Sequence, residues 1–304
     1  MTQSSKTRIV VLGSLNMDVV LRLARMPERG ETVHAQGLSY IPGGKGGNQA
    51  VACARHGAQV VLVGCVGRDA HGDVLLGALT ADGVDVSNVA VHDGAATGSA
   101  VVMVEGDGSN RIAVIPGANA LAELPANFSE VLAQADYLVV QFETPLEVLD
   151  RALAMAQHSH CKVVLNPSPV KAVPSQWWPW IDTLVVNEHE AAELSAMAVT
   201  DAATAVHAAQ YFVGLGVRQV VVTMGSQGAV AVNAAGHSIH PAPKVEVVDT
   251  TSAGDTFLGT MVTRLGEGST LAQAVQWGIR AASLCIGRAG AQPSIPERTE
   301  VEQQ

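Results

Sequence analysis

The sequence predicts an α/β protein: a mostly parallel sheet with helices on both faces, and a small β-sheet beside it. Three observations lead there. After Asn127, short runs of β-branched residues alternate regularly with stretches of helical periodicity, the pattern of a parallel sheet with crossover helices. Polar residues follow several of these runs directly, at the strand ends where such sheets bind ligands. Two segments, 17–40 and 97–115, instead carry alternating and turn-rich character suited to antiparallel pairing.

In chain order, residues 8–15 read as a buried first strand. Residues 17–40 hold a turn, Pro27 to Gly30, between two alternating stretches. A glycine cluster follows, Gly43-Gly44-Lys45-Gly46-Gly47-Asn48, and then a helix over 49–56. A strand is expected over 59–66 and a helix over 72–82. The runs 97–104 and 110–115 are joined by Glu105-Gly-Asp-Gly108, a good hairpin signal. Paired with 17–40, this hairpin makes the small sheet. The regular part then has strands over Tyr137–Gln141, 162–165, 183–186 and Gln219–Thr223. Helices are expected over 146–158, 188–197 and 202–213. Residues 225–240 look like an antiparallel addition at the sheet edge. A short strand is expected over 245–248, a helix start at Asp255, and a late apolar helix over 271–286. No internal repeat or linker divides the chain, so the 304 residues read as one domain.

Composition narrows the function. The chain is 48% hydrophobic and 15% charged, which suits a large globular core rather than disorder. Its formal charge of −10 argues against nucleic acid or an anionic membrane as partner. A nucleotide substrate would need Mg²⁺, backbone amides and a few local cations for its phosphates. Four widely spaced cysteines lack a C-x-x-C pair and three of them fall in apolar runs, so they read as reduced, small hydrophobes. The polar start and the lack of a membrane-length apolar run lead us to expect a cytoplasmic protein. No Walker A or G-x-G-x-x-G pattern stands between a strand and a helix, which weighs against those phosphate-binding loops. No zinc-type histidine spacing occurs either, and His158 and His160 are expected to face solvent.

The segment from Asp249 to Asp255, Asp-Thr-Thr-Ser-Ala-Gly-Asp, runs through small residues into a helix start. Free N–H groups there favour an anion, and Ala253 and Gly254 leave the backbone approachable. Asp255 beside such a site suits general-base work on a hydroxyl attacking a phosphoryl group. The alternative is a helix cap. The cluster from Gly43 to Asn48 lets backbone approach a ligand closely, with Asn48 offering an amide; the alternative is a hinge, and a lid has use for both. Asn16 and Asp18 follow the first strand and suit a polyol, against an Asx turn. Glu143, Asn187, Glu190, Thr223 and the run Gly225-Ser226-Gln227-Gly228 each follow another strand. So many polar groups at strand ends favour a ligand site over capping alone.

These residues resemble the PfkB carbohydrate kinases, and within them the ribose-phosphorylating branch. The motifs Gly43-Gly-Lys-Gly-Gly-Asn48 and Asp249-Thr-Thr-Ser-Ala-Gly-Asp255 carry the likeness. Asn187-Glu-His-Glu190 and Gly290-Ala-Gln-Pro-Ser294 support it, and it runs from about Ile9 to Pro296. The resemblance implies a Rossmann-like domain with a lid formed by about 15–40 and 97–115, which in the family often also makes a dimer contact. It implies transfer from ATP to the primary hydroxyl of D-ribose, giving ribose 5-phosphate, with Asp255 as base and an anion hole of the amides at Ala253, Gly254 and Asp255. Asn16, Asp18, Gly43, Gly44, Lys45, Asn48 and Glu143 would hold the sugar. Asn187, Thr223, Gly225, Ser226, Gln227, Gly228, Gly254 and Ile279 would hold ATP, with Glu190 organising Mg²⁺ through water. A K⁺ ion would lie near Asp249, Thr251, Cys285, Arg288, Gly290 and Ser294, partly on backbone carbonyls. Two positions depart from the family pattern: Leu258, where Asn can occur, and Ile279, where His or Asn can flank the adenine. The acceptor stays open between ribose, 2-deoxyribose, a nucleoside and another sugar.

Overall fold

The computed structural model describes residues 6–106 and 110–304. In chain order the strands are β1 (Arg8–Leu12), β2 (Asn16–Arg22), β3 (Gly37–Gly43), β4 (Gln59–Gly67), β5 (Asp85–His92), β6 (Gly98–Val104), β7 (Asn110–Ile115), β8 (Tyr137–Gln141), β9 (Lys162–Asn166), β10 (Thr183–Asn187), β11 (Gln219–Thr223), β12 (Ala229–Asn233) and β13 (Gly236–His240). The helices are α1 (Lys45–Arg55), α2 (Ala70–Ala81), α3 (Phe128–Ala133), α4 (Leu146–Ala156), α5 (Glu188–Ser195), α6 (Ala202–Gly214), α7 (Ala253–Gly266), α8 (Leu271–Cys285) and α9 (Arg298–Glu302).

Nine strands form the main sheet in the order β13-β12-β11-β10-β9-β8-β1-β4-β5. From β11 to β5 the neighbours are parallel; β12 and β13 add antiparallel at one edge. The central strands are buried on both faces, as apolar runs such as Val-Val-Leu and Leu-Val-Val require. Two apolar clusters sandwich them. One packs α3 to α6 against one face, around Phe142, Trp177 and Phe212. The other packs α1, α2, α7 and α8 against the opposite face, around Leu62, Phe257 and Met261.

The second sheet has four strands, β3-β2-β6-β7. β2 pairs antiparallel with β3 and parallel with β6, and β6 pairs antiparallel with β7. The expected hairpin pairing is present; its turn residues Asp107 and Gly108 lie outside the described residues.

Three expectations are corrected. Residues 245–248 join no sheet, and Val245, Val247 and Val248 are 40%, 58% and 59% exposed. β-Branched residues favour a pleated surface with neighbours; here the backbone bonds instead to the residue after α8, Val248 N–H donating to Ile286 O at 2.8 Å. Helix α1 begins at Lys45, not at residue 49. Gly46 and Gly47 lower helix propensity, yet Gly46 lies where a Cβ would meet Gly13 at 2.5 Å, so close packing on the loop after β1 overrides it. Strand β5 was not expected. It is a half-exposed edge strand whose apolar alternation is too weak to announce itself.

Candidate active site

The C-terminal ends of β1, β8, β9, β10 and β11 converge on the start of α7. Asp255 sits in the first turn of α7 and is 8% exposed. Its carboxylate is gripped from α1: Asn48 Nδ2 donates to Oδ2 at 3.0 Å and Gln49 Nε2 to Oδ1 at 2.9 Å. Burial raises its pKa, while the Lys45 ammonium and these two amides oppose the rise. The side chain therefore does more than cap a helix, since its bonds go to another element.

The helix start has unequal amides. Ala253 N–H is already spent on Thr250 O at 3.2 Å. Among the described residues, Gly254 and Asp255 N–H have no such partner. Of the three amides expected to meet an anion, those two are the ones without a backbone acceptor. Ser252, before the helix, has a φ of 61° and a buried hydroxyl with no partner among the described residues.

Around this point lie three cavities. One of about 240 Å³ is lined by Lys45, Asn187, Glu190, Thr223, Ala253, Gly254 and Asp255, together with Asn166, Ser168 and Ser252. A second, about 750 Å³, shares Thr223, Ala253 and Gly254 with it and continues past Gly225, Ser226 and Gly228 to Phe257 and Ile279. Gln227 does not line it; its amide turns to Thr200 O at 3.4 Å. A third, about 770 Å³, runs between the small sheet and the loop before α7, along Asp18, Asp249, Thr251 and Gly290.

The polar groups after β1 are held in place. Asn119 Nδ2 donates to Asn16 Oδ1 at 2.8 Å and Asn119 Oδ1 accepts from Leu15 N–H at 2.9 Å. Glu143 accepts a short bond from Ser14 Oγ and lies 3.4 Å from Lys45 N. Asp18 packs against Gly43, where a Cβ would meet its Oδ2 at 2.4 Å. Burial, then the charges of Glu143, Asp255 and Asp249, push the Asp18 pKa up to about 7. Gly44 has a φ of 86° and sits against Asn16 N. Among the described residues the buried Oδ1 of Asn48 has no partner, so it is an acceptor in waiting.

On β10, Asn187 and Glu190 bond reciprocally across the start of α5: Asn187 Oδ1 accepts from Glu190 N–H and Glu190 Oε2 from Asn187 N–H. The residues expected around a monovalent cation also meet. Asp249 accepts from Thr251 N–H and Gly290 N–H, both at 2.9 Å. Burial opposes its ionisation, but these bonds and the Thr251 hydroxyl outweigh burial and hold its carboxyl below the usual range. Cys285 Sγ lies 3.0 Å from Ser294 Oγ and 3.6 Å from Thr251 O. The Arg288 guanidinium pairs with Glu300 at 2.6 Å; the expected cation site, resting partly on backbone carbonyls, does not need that side chain.

Sequence reasoning passed over Gln49, Asn119, Gln141, Asn166 and Ser252. Gln49 and Gln141 had a signal: one directly follows the glycine cluster, and the other is the polar last residue of an apolar strand. Asn119 had none, since it lies 103 residues from the Asn16 side chain it orients.

A family model for pfkB family carbohydrate kinases matches residues 6–298. The ribokinase of Haemophilus influenzae is 37% identical over 294 residues, covering 96% of each chain. That of Schizosaccharomyces pombe is 39% identical over 308 residues, covering 97% of this chain and 96% of its own. The solved structure of Arabidopsis thaliana ribokinase complexed with ribose and ATP superposes with a TM-score of 0.92 at 32% identity, over 98% of each chain. With the family model matched over nearly its whole length, the chain belongs to the pfkB family of carbohydrate kinases.

Proposed function

We propose that this protein phosphorylates D-ribose at its primary hydroxyl with ATP, giving D-ribose 5-phosphate and ADP. The observation that carries the reading is Asp255, pinned by Asn48 and Gln49 at a helix start that opens both to a nucleotide-sized cavity and to a polar cradle. The ribose and ATP named for the Arabidopsis relative support the choice of substrates.

In this reading Asn16, Asp18, Gly43, Gly44, Lys45, Asn48 and Glu143 hold the sugar hydroxyls. Asp255 takes the proton of the primary hydroxyl as its oxygen attacks the γ-phosphorus. The bond from that phosphorus to the β–γ bridging oxygen breaks, and ADP leaves. The N–H groups of Gly254 and Asp255, backed by the α7 dipole, meet the charge on the transferring phosphoryl oxygens. ATP occupies the cavity between Thr223, Gly225, Ser226, Gly228 and Ile279, with Asn187 near its phosphates. Glu190 and Asn187 offer oxygen donors that fit Mg²⁺ and its waters; when bound, the ion neutralises phosphate charge. The carboxylate of Asp249, kept ionised, and oxygens at Thr251, Gly290 and Ser294 fit a hard monovalent cation such as K⁺. Such an ion would stiffen the loop leading into α7.

We read the chain as one kinase domain with residues 15–40 and 97–115 as its lid. A homodimer through that lid is part of the proposal. The small sheet leaves Leu38, Tyr40, Ile112 and Val114 at 53%, 56%, 58% and 53% exposure, and so few strands are marginal alone. The reading puts the enzyme in the cytoplasm; its unpaired, buried cysteines accord with a reducing compartment. Among the described residues no helix is long and apolar enough to cross a membrane.

The test is ADP release from Mg-ATP with ribose, 2-deoxyribose, fructose and adenosine, each with K⁺ and with Na⁺ alone. Ribose is expected to give the highest turnover, raised by K⁺. Asp255→Asn is expected to lower kcat by roughly 10²- to 10⁴-fold with little change in ribose affinity. Faster turnover on another acceptor would reassign the substrate, and near-normal turnover in Asp255→Asn would remove the base.

A further inference from the structure

Behind the Asp255 carboxylate runs a chain of buried amides that substrate contacts do not account for. Gln49 and Gln141 are both 0% exposed. Gln49 Nε2 donates to Asp255 Oδ1 at 2.9 Å, and Gln141 Nε2 donates to Gln49 Oε1 at 2.6 Å. Gln141 ends β8, and its register partner Asn166 ends β9. Asn166 Oδ1 lies 3.4 Å from Gln49 Nε2, and Asn166 Nδ2 is anchored on Val185 O at 3.0 Å.

We propose that Gln49 and Gln141 are positioning residues for phosphoryl transfer: a hydrogen-bond chain from β8 through Gln49 sets the plane of the Asp255 carboxylate toward the attacking hydroxyl. This rests on Asp255 being the base.

The chemistry of the amides carries the argument. An ionised carboxylate only accepts hydrogen bonds, whereas a glutamine amide has a donating end and an accepting end. Gln49 serves Asp255 only with its NH₂ turned inward, which leaves its oxygen facing Gln141. Gln141 answers that oxygen with a donor. Without it, Gln49 would keep a buried, unpaired carbonyl or turn that carbonyl onto a carboxylate, and both are unfavourable. Asn48 and Gln49 are consecutive on α1 and each holds one oxygen of Asp255, so together they fix its rotation. Loss of one frees it.

Gln141 is expensive where it stands. The other residues of β8 are apolar, and its Oε1 is buried without a partner among the described residues. A Cβ on Gly13 would meet that oxygen at 2.1 Å, so the loop after β1 leaves room for it. An apolar side chain would serve packing better, and what Gln141 supplies in exchange is the donor to Gln49.

The test uses the full chain and steady-state ADP release with ribose and Mg-ATP, comparing wild type, Gln141→Met, Gln49→Met and Asp255→Asn. For Gln141→Met we expect kcat to fall about 10- to 100-fold, the order of loss that misplacing a catalytic group causes. KM for both substrates is expected to stay within about threefold, because neither glutamine lies against the sugar cradle or nucleotide cavity. The acid limb of the kcat/KM profile is expected to move to higher pH in Gln49→Met, since a donor to the ionised base is lost. Other charges facing Asp255 are Lys45 on α1, Glu143 after β8, Asp18 on β2 and Cys285 on α8. They are common to both proteins, so the displacement reports the lost donor. If Gln141→Met does not fold, Gln141→Asn keeps the amide but is too short to make the 2.6 Å bond, and the same kcat loss is expected. Wild-type kcat and acid limb in the glutamine variants, with Asp255→Asn inactive, would overturn this inference and leave the base in place. Near-normal turnover in Asp255→Asn would overturn the base itself.

Discussion

Asp18 shows how one carboxylate ties the sugar site to stability. Its folded pKa, about 7, stands above the ordinary 3.8 because of burial and the neighbouring Glu143, Asp255 and Asp249. Between those values the folded chain holds a proton that the unfolded chain has lost. Stability from this group is therefore complete at low pH and falls as pH rises from about 4 to about 7, by roughly 4 kcal/mol. Urea unfolding of the sugar-free protein across that range is expected to show the loss, and Asp18→Asn to flatten it. Sugar hydroxyls donating to Asp18 favour its ionised form. Ribose binding near pH 7 is thus expected to release protons, measurable by calorimetry in buffers of differing ionisation enthalpy. Equal proton release by Asp18→Asn would assign the proton elsewhere. The neighbouring acids repel one another, and in the proposed reading sugar hydroxyls meet them.

At the scale of elements, the site depends on how closely α1 approaches the loop after β1. Gly44 caps α1 with a φ of 86°, and a Cβ there would meet Asn16 N at 2.6 Å. Gly44→Ala is expected to lose at least about 2 kcal/mol, from a backbone conformation that side chains disfavour and from overpacking. Its urea midpoint should fall, and ribose KM should rise because Asn16 moves with the loop. An unchanged midpoint would mean the loop yields without strain. The same approach explains why α1 starts earlier than its composition indicates: the two glycines that discourage a helix are the ones that let it dock. The expected strand over 245–248 failed for the converse reason. Its β-branched residues are there, but its backbone bonds to Ile286 after α8 and not to a strand.

At the scale of the molecule, the small sheet leaves Leu38, Tyr40, Ile112 and Val114 exposed, and the proposed dimer through the proposed lid would cover them. Ile112→Asp is expected to convert a dimer into monomers in sedimentation velocity and to raise ribose KM, since the lid borders the cavity along Asp18 and Asp249. A monomeric wild type would remove the dimer from the proposal. The sequence by itself determined the layered α/β class, the strands Tyr137–Gln141 and Gln219–Thr223 to the residue, and the small antiparallel-rich sheet. It also marked the strand-end residues from Asn16 to Asp255, because alternation, β-branching and glycine spacing are local signals written along the chain. Tertiary structure alone decided which groups touch. It brought Asn48 and Gln49 to Asp255 across 207 and 206 positions and Asn119 to Asn16. It set the Ala253 N–H against Thr250 O and turned the Gln227 amide to Thr200 O. Hydrogen bonds between distant elements depend on packing distance and direction, and neither is encoded in the periodicity of any single segment.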